Sequence, residues 1–106
     1  MPFINLNDFE VREPFPGFKG HFVHSDTMTL AYWTITAGSS LEGHSHESEQ
    51  VVNVTEGRFE LTMDGQSKIL EPGFVAIIPS NVPHSGRAVT DCKIIDVFYP
   101  IREDYR

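Results

Sequence analysis

The chain reads as an all-β domain, a sandwich or a barrel, on three observations. About seven stretches either alternate apolar and polar residues or run short, apolar and β-branched. Turn residues interrupt them at roughly 8–12 residue intervals. No window carries a helical period bounded by caps. The 7 prolines and 8 glycines are spread along the chain, as many short strands joined by tight turns require.

In chain order, residues 2–20 read as irregular. Phe3, Ile4, Phe9, Phe15 and Phe18 are interleaved with Pro14, Pro16, Gly17 and Gly20. This arm either pairs at a sheet edge, reaches a second copy, or folds back on its own barrel. His21 and His24, flanking Phe22 and Val23, read as surface histidines of a loop. Residues 27–35 alternate and are rich in β-branched and aromatic types, which predicts a strand. Val51–Val54 reads as a buried strand and Glu56-Gly57 as a turn. Phe59, Leu61 and Met63 alternate with Arg58, Glu60 and Thr62, so one face is buried. Asp64-Gly65 marks a hairpin, and residues 66–70 return from it. Glu71-Pro72-Gly73 is a turn, with Pro fixing φ and Gly permitting positive φ. Phe74–Ile78 is an apolar strand stopped by Pro79, and Lys93–Phe98 is the last strand before Pro100. The expected division is a single domain with an arm at 1–26, a barrel at 27–99 and a tail at 100–106.

With 106 residues there is room for one modest core. Apolar residues at 40% and charged residues at 22% suit a soluble globular domain. No run approaches the ~18 apolar residues of a membrane helix, and the N-terminus lacks the basic and apolar regions of a signal peptide. The lone cysteine, Cys92, has no internal partner and reads as a reduced buried thiol, which points to the cytoplasm. The net charge of −7 argues against nucleic acid or anionic membrane as partners. With only 8 Lys and Arg, an Arg placed in a cavity stands out as an anion contact.

Three of the 5 histidines are spaced as metal ligands. His44 and His46 lie two apart, so in an extended strand both rings share a face and reach one ion. His84 arrives from a distant segment. The fourth donor is Gln50, Glu49 or Glu47. The spacing to Gly57 favours Gln50, and so does strand parity, which turns Glu47 and Glu49 away from His46.

These residues sit in two frames that resemble the cupin motifs. Gly38, five residues, His44-x-His46, three residues, Gln50, six residues and Gly57 reproduce the first, with Gln where Glu is usual. Gly73, five residues, Pro79-x-Asn81, two residues and His84 reproduce the second, with Asn in a glycine place. Asn also tolerates positive φ, so that turn can survive. The closing Asn of the second motif is Ala88 here, a departure. The resemblance covers residues 28–99 and implies a small single-domain double-stranded β-helix, or jelly-roll barrel, holding one divalent metal ion. Zn, Ni, Mn and Fe, and Cu besides, all accept imidazole. Three neutral imidazoles and a neutral amide leave the ion's charge uncompensated. That favours Lewis-acid handling of an anion over the two-His-one-carboxylate oxygen chemistry.

The segment 96–105, the stretch from Ile78 to Ser85 and the run from His44 to Gln50 are similar to the pectin-degradation cupins. These convert 4,5-unsaturated monouronates, released by pectate or alginate lyases, to a linear keto form. That resemblance implies a metal set of His44, His46, Gln50 and His84, an acidic catalytic residue at Asp96, an arginine at Arg102 and a pocket aromatic at Phe98. One departure is the three-residue gap between His46 and Gln50, where that group more often has four. The reaction requires loss of the anomeric proton, stabilisation of an enolate and protonation at carbon 4. Asp96 is the expected acid/base and Arg102 the anchor of the uronate carboxylate. The expected partner is a small anionic sugar, and the expected assembly a homodimer that hides an edge strand. Three other readings stand beside this one: a non-catalytic sensor cupin, a metal-dependent dioxygenase and a different sugar isomerase.

Overall fold

The computed structural model describes residues 3–106. Ten strands form two antiparallel sheets. They are β1 (Arg12–Phe15), β2 (Phe18–His24), β3 (Thr29–Ile35), β4 (Ser40–His44), β5 (Glu49–Glu56), β6 (Phe59–Met63), β7 (Gln66–Leu70), β8 (Val75–Ile78), β9 (His84–Ala88) and β10 (Cys92–Tyr99). One sheet runs β1-β2-β3-β10-β5-β8 and the other β4-β9-β6-β7. Two single 3-10 turns, Leu6–Asp8 and Glu103–Tyr105, complete the described elements. No helix among the described residues is long and apolar enough to cross a membrane.

The two sheets bury their inner faces on each other, as amphipathic strands must. Phe18, Trp33, Ile35, Val54, Phe59, Ile94 and Phe98 form the middle of the core. Phe18 meets the Trp33 ring edge-on at 5.9 Å and Phe59 at 6.5 Å, the geometry that ring quadrupoles favour.

Of the readings offered for the first 26 residues, pairing at a sheet edge is the one the described residues follow. The described part, from residue 3, contributes β1 and β2 to the larger sheet, while residues 1 and 2 lie outside the description. The inward positions of β2 are Phe18, Gly20 and Phe22. Gly20 breaks the apolar alternation because the Trp33 ring fills its place: a Cβ there would stand 2.9 Å from that ring. His21 and His24 therefore lie on a strand, not in a loop. The segment predicted over 74–78 pairs only from Val75, as the sheet edge beside β5. Only Ile78 of it is fully buried, whereas Val75 and Ile77 are 59% and 58% exposed.

Two turns fix the loops that flank the motif residues. Asn81 has φ of 65°, so the turn does tolerate Asn where a glycine is usual. Its N–H donates to the His46 carbonyl at 2.8 Å, tying the loop after β4 to the loop before β9. Gly57 has φ of 82°, and any Cβ there would collide with the Asp91 carbonyl oxygen.

Candidate metal centre

His44 ends β4 and His84 opens β9, directly opposite each other in the antiparallel register. The pairing places their ring centroids 4.3 Å apart. His46 lies beyond the end of β4, so the shared-strand argument for His44 and His46 does not hold. The loop that Asn81 anchors brings His46 in instead, with ring centroids 5.7 Å from His44 and 4.9 Å from His84. One ligand atom from each of the three rings lies within 4.8 Å of the other two. Donors bound at about 2.0–2.2 Å to one ion stand roughly 3–4 Å apart, so small ring rotations suffice.

The hydrogen-bond pattern prepares these rings. His44 Nδ1 faces the Glu42 carbonyl at 2.8 Å, His46 Nδ1 the Ser48 carbonyl at 2.8 Å, and His84 Nδ1 the Val82 carbonyl at 2.9 Å. A carbonyl can only accept, so each Nδ1 carries the proton and each Nε2 presents a lone pair. His84 Nε2 is buried and has no partner. Burial also favours the neutral form of His46 and His84. It lowers the pKa of His46, helped by the Arg102 charge, and lowers that of His84, helped by the neighbouring histidines.

Gln50 is 7% exposed, on the inner face of β5, with Oε1 placed 3.1 Å from His46 Nε2. An acceptor oxygen facing a lone pair is unfavourable unless a cation lies between them. Three Nε2 lone pairs and one amide oxygen thus converge, and this donor set fits a divalent ion. Glu47 and Glu49 are both exposed. Of the three candidates only Gln50 is buried, and it faces inward from the start of β5 rather than along a strand continuous with His44.

Asp96 lies in β10, flanked by Ala31 of β3 and Val52 of β5. Oδ2 accepts from Trp33 Nε1 at 3.0 Å, and Oδ1 is buried without a partner. Burial pushes its carboxyl up to about 7. The Gln50 side-chain amide, the Trp33 N–H and the Arg102 charge pull the other way. Nothing in the alternation of residues 27–35 separates packing from hydrogen bonding at Trp33.

Phe98 is 2% exposed. It is a wall rather than an open stacking surface, with the His46 ring edge-on at 5.7 Å and the Arg102 guanidinium 4.9 Å from its centre. Arg102 opens the charged stretch Arg102-Glu103-Asp104 yet is largely shielded from solvent. Its side chain is only 11% exposed and also packs 4.4 Å from the Tyr105 ring centre. Its Nε and Nη2 donate to the two Asp104 carboxylate oxygens at 2.9 and 2.6 Å. Tyr105 was missed as a site residue. The one available signal was an aromatic closing a charged tail.

The enclosed space beneath the histidines is about 50 Å³, enough for a few waters. Its floor is apolar, with Trp33, Phe59 and Ile94. Its roof carries His44, His84, Gln50, Asp96 and Arg102. His44 and Arg102 also line an outer groove with Leu41, Ser45 and Asp104. Phe15, Leu41, His44 and Arg102 line both, so the inner space meets the outer groove among these four.

The Cupin_2 family model, a cupin domain, matches residues 31–98. No curated protein matches the chain. Among solved structures, that of KdgF from Halomonas sp. aligns over 100% of this chain and 99% of its own, at 25% identity and a TM-score of 0.91. An RmlC-like cupin from Shewanella frigidimarina aligns over 100% of this chain and 96% of its own, at 27% identity and a TM-score of 0.92. A salicylate 1,2-dioxygenase variant from Pseudoaminobacter salicylatoxidans aligns over 79% of this chain and 26% of its own, at 23% identity and a TM-score of 0.75, a likeness of fold alone.

Proposed function

The chain belongs to the Cupin_2 family of cupin domains, and from that premise we propose that it is a metal-dependent enzyme opening 4,5-unsaturated monouronates to their linear keto form. One observation carries the reading. Four converging acceptor atoms stand beside a buried carboxyl with a free oxygen, and an arginine lines the way in. The resemblance of residues 96–105 to the pectin-degradation cupins names the substrate class. The full-length alignment with KdgF takes in that tail.

In this reading His44, His46, His84 and Gln50 hold a divalent ion, which when bound supplies Lewis acidity toward the substrate's oxygens. The enclosed space is too small for a sugar ring, so the uronate sits in the outer groove that His44 and Arg102 both line. Arg102 takes the carboxylate, in exchange for or beside Asp104. The reaction is an isomerisation. The anomeric hydroxyl gives up its proton, the bond from carbon 1 to the ring oxygen breaks, and the enol so formed gains a proton at carbon 4. Oδ1 of Asp96 is, among the described residues, the buried side-chain oxygen without a partner, and it carries that proton while Trp33 holds the carboxyl in place through Oδ2.

The test is spectroscopic. An unsaturated monouronate prepared with a lyase absorbs in the ultraviolet and loses that absorbance when the ring opens. Metal-loaded protein should remove it, and Asp96→Asn should abolish the loss with metal content unchanged. Absorbance that persists with fully metallated protein sinks the reading, and full activity in the Asn variant removes Asp96 from its role.

A further inference from the structure

The mechanism leaves unused a connected set of polar groups on the first strands. Thr29 is fully buried at the start of β3. Its hydroxyl oxygen accepts from the Arg102 backbone N–H at 2.9 Å. The hydroxyl proton must then go elsewhere, and His24 Nδ1 lies 2.9 Å away. With Nδ1 accepting, the imidazole proton is on Nε2, which faces the Tyr105 carbonyl at 3.1 Å. Arg12 Nη1 donates to the same carbonyl at 2.7 Å. The backbone from Arg102 to Tyr105 is thus pinned at both ends by one relay. Below it, the Tyr105 ring stacks on Phe22 at 4.6 Å and 25°. The strap is anchored once more upstream, where Ser48 Oγ donates to the Pro100 carbonyl at 2.9 Å.

We propose that Thr29 and His24 are positioning residues, which hold the segment 100–106 across the mouth and so aim Arg102 at the substrate's carboxylate. The assignment rests on the uronate reading for the ligand, and on the relay for the position. Neither residue touches the converging donors. Arg102 has its backbone fixed by Thr29 and its side chain held between two rings, so its guanidinium offers a preformed site. Loosening the backbone should therefore weaken binding rather than chemistry.

The experiment compares Thr29→Val, Thr29→Ser and His24→Ala in metal-loaded protein, each first checked for unchanged Trp33 fluorescence. Thr29→Val should raise KM for the unsaturated monouronate about tenfold with kcat nearly unchanged. Thr29→Ser should restore it. Trypsin should cut after Arg102 faster in Thr29→Val and His24→Ala than in wild type, because the strap opens more often. An unchanged KM and an unchanged cut in a folded Thr29→Val protein overturn the proposal, and so does a loss of kcat alone. If wild type neither turns over the uronate nor binds galacturonate by calorimetry, the uronate reading fails. The tryptic arm then still decides whether the relay holds the strap. Should Thr29→Val fail to fold, His24→Ala carries the same comparison.

Discussion

Asp96 shows how one side chain sets function against stability. In the folded protein its carboxyl is fully buried and holds a proton up to about pH 7, against an ordinary value of 3.8. In the unfolded chain the proton leaves near the ordinary value. Between these two values folding takes up a proton, so stability falls as pH rises through the window. Above it the cost is constant, and below it the cost vanishes. At full burial the shift corresponds to about 4 kcal/mol at most. An Asn in this place keeps the shape and the acceptor for Trp33 but has nothing to titrate. Metal-free Asp96→Asn should therefore exceed metal-free wild type in unfolding free energy by a margin that grows from pH 5 to pH 8. Urea titrations at those two pH values check it, and equal margins would mean that burial does not govern this carboxyl. Asp104 poses the opposite question. It is exposed and occupies two donors of a nearly buried Arg102, where the uronate carboxylate is proposed to bind. If the two compete, Asp104→Asn lowers the dissociation constant for galacturonate several-fold by calorimetry. A weaker affinity would make Asp104 the residue that orients the guanidinium.

Among the elements, the strands nearest the site are the ones whose alternation is broken. In β9 the inward positions are His84, Gly86 and Ala88, a ligand, a gap and a small side chain. Gly86 is a gap because the Phe59 ring fills it, and a Cβ there would run into that ring. Gly43 in β4 has no atom within 4 Å of such a Cβ. Gly86→Ala should then cost about 1–3 kcal/mol by overpacking, while Gly43→Ala stays within about 0.5 kcal/mol. Thermal melts of the pair decide, and equal costs would mean that backbone entropy, not the ring, keeps Gly86. The same substitution pattern explains what was legible. Trp33 and Ile35 on β3, Phe59 and Leu61 on β6, and Ile94 and Phe98 on β10 all face the core, and these strands stood out by their period. Strands β4 and β9 did not, because metal-ligand geometry and ring packing had replaced their apolar positions. In β2 the alternation fails at Gly20 for the same reason. The clustering of the three histidines was nonetheless readable, since the motif spacing survives with turns at Asn81 and Gly57. The relay of Thr29, His24 and Arg102 was not. It joins residues 73 positions apart in sequence, and such a pairing leaves no local trace.

At the scale of the whole molecule, the donor set links metal to folding. The rings come from β4, the loop after it and β9, and the amide from β5, so both sheets contribute. Each Nδ1 is turned away onto a backbone carbonyl, which leaves the four acceptors with no donor of the chain between them. An unfolded chain cannot assemble the set, so an ion that binds it stabilises only the native state. At a hundred times the dissociation constant the gain is about 2.7 kcal/mol. For a domain of this size each kcal/mol moves Tm by roughly 4–8 °C, so saturating metal should raise Tm by roughly 10–20 °C. Protein stripped with a chelator is titrated with Zn, Ni, Mn or Fe(II), each in a separate melt. At least one should shift Tm in a concentration-dependent and chelator-reversible way. Mg, which prefers oxygen ligands, should not. His84→Ala should abolish the shift, because it removes the one donor whose Nε2 is already buried and unpartnered. A melt indifferent to all four metals would mean that the lone pairs converge on water, and the Lewis-acid reading would fall with the site.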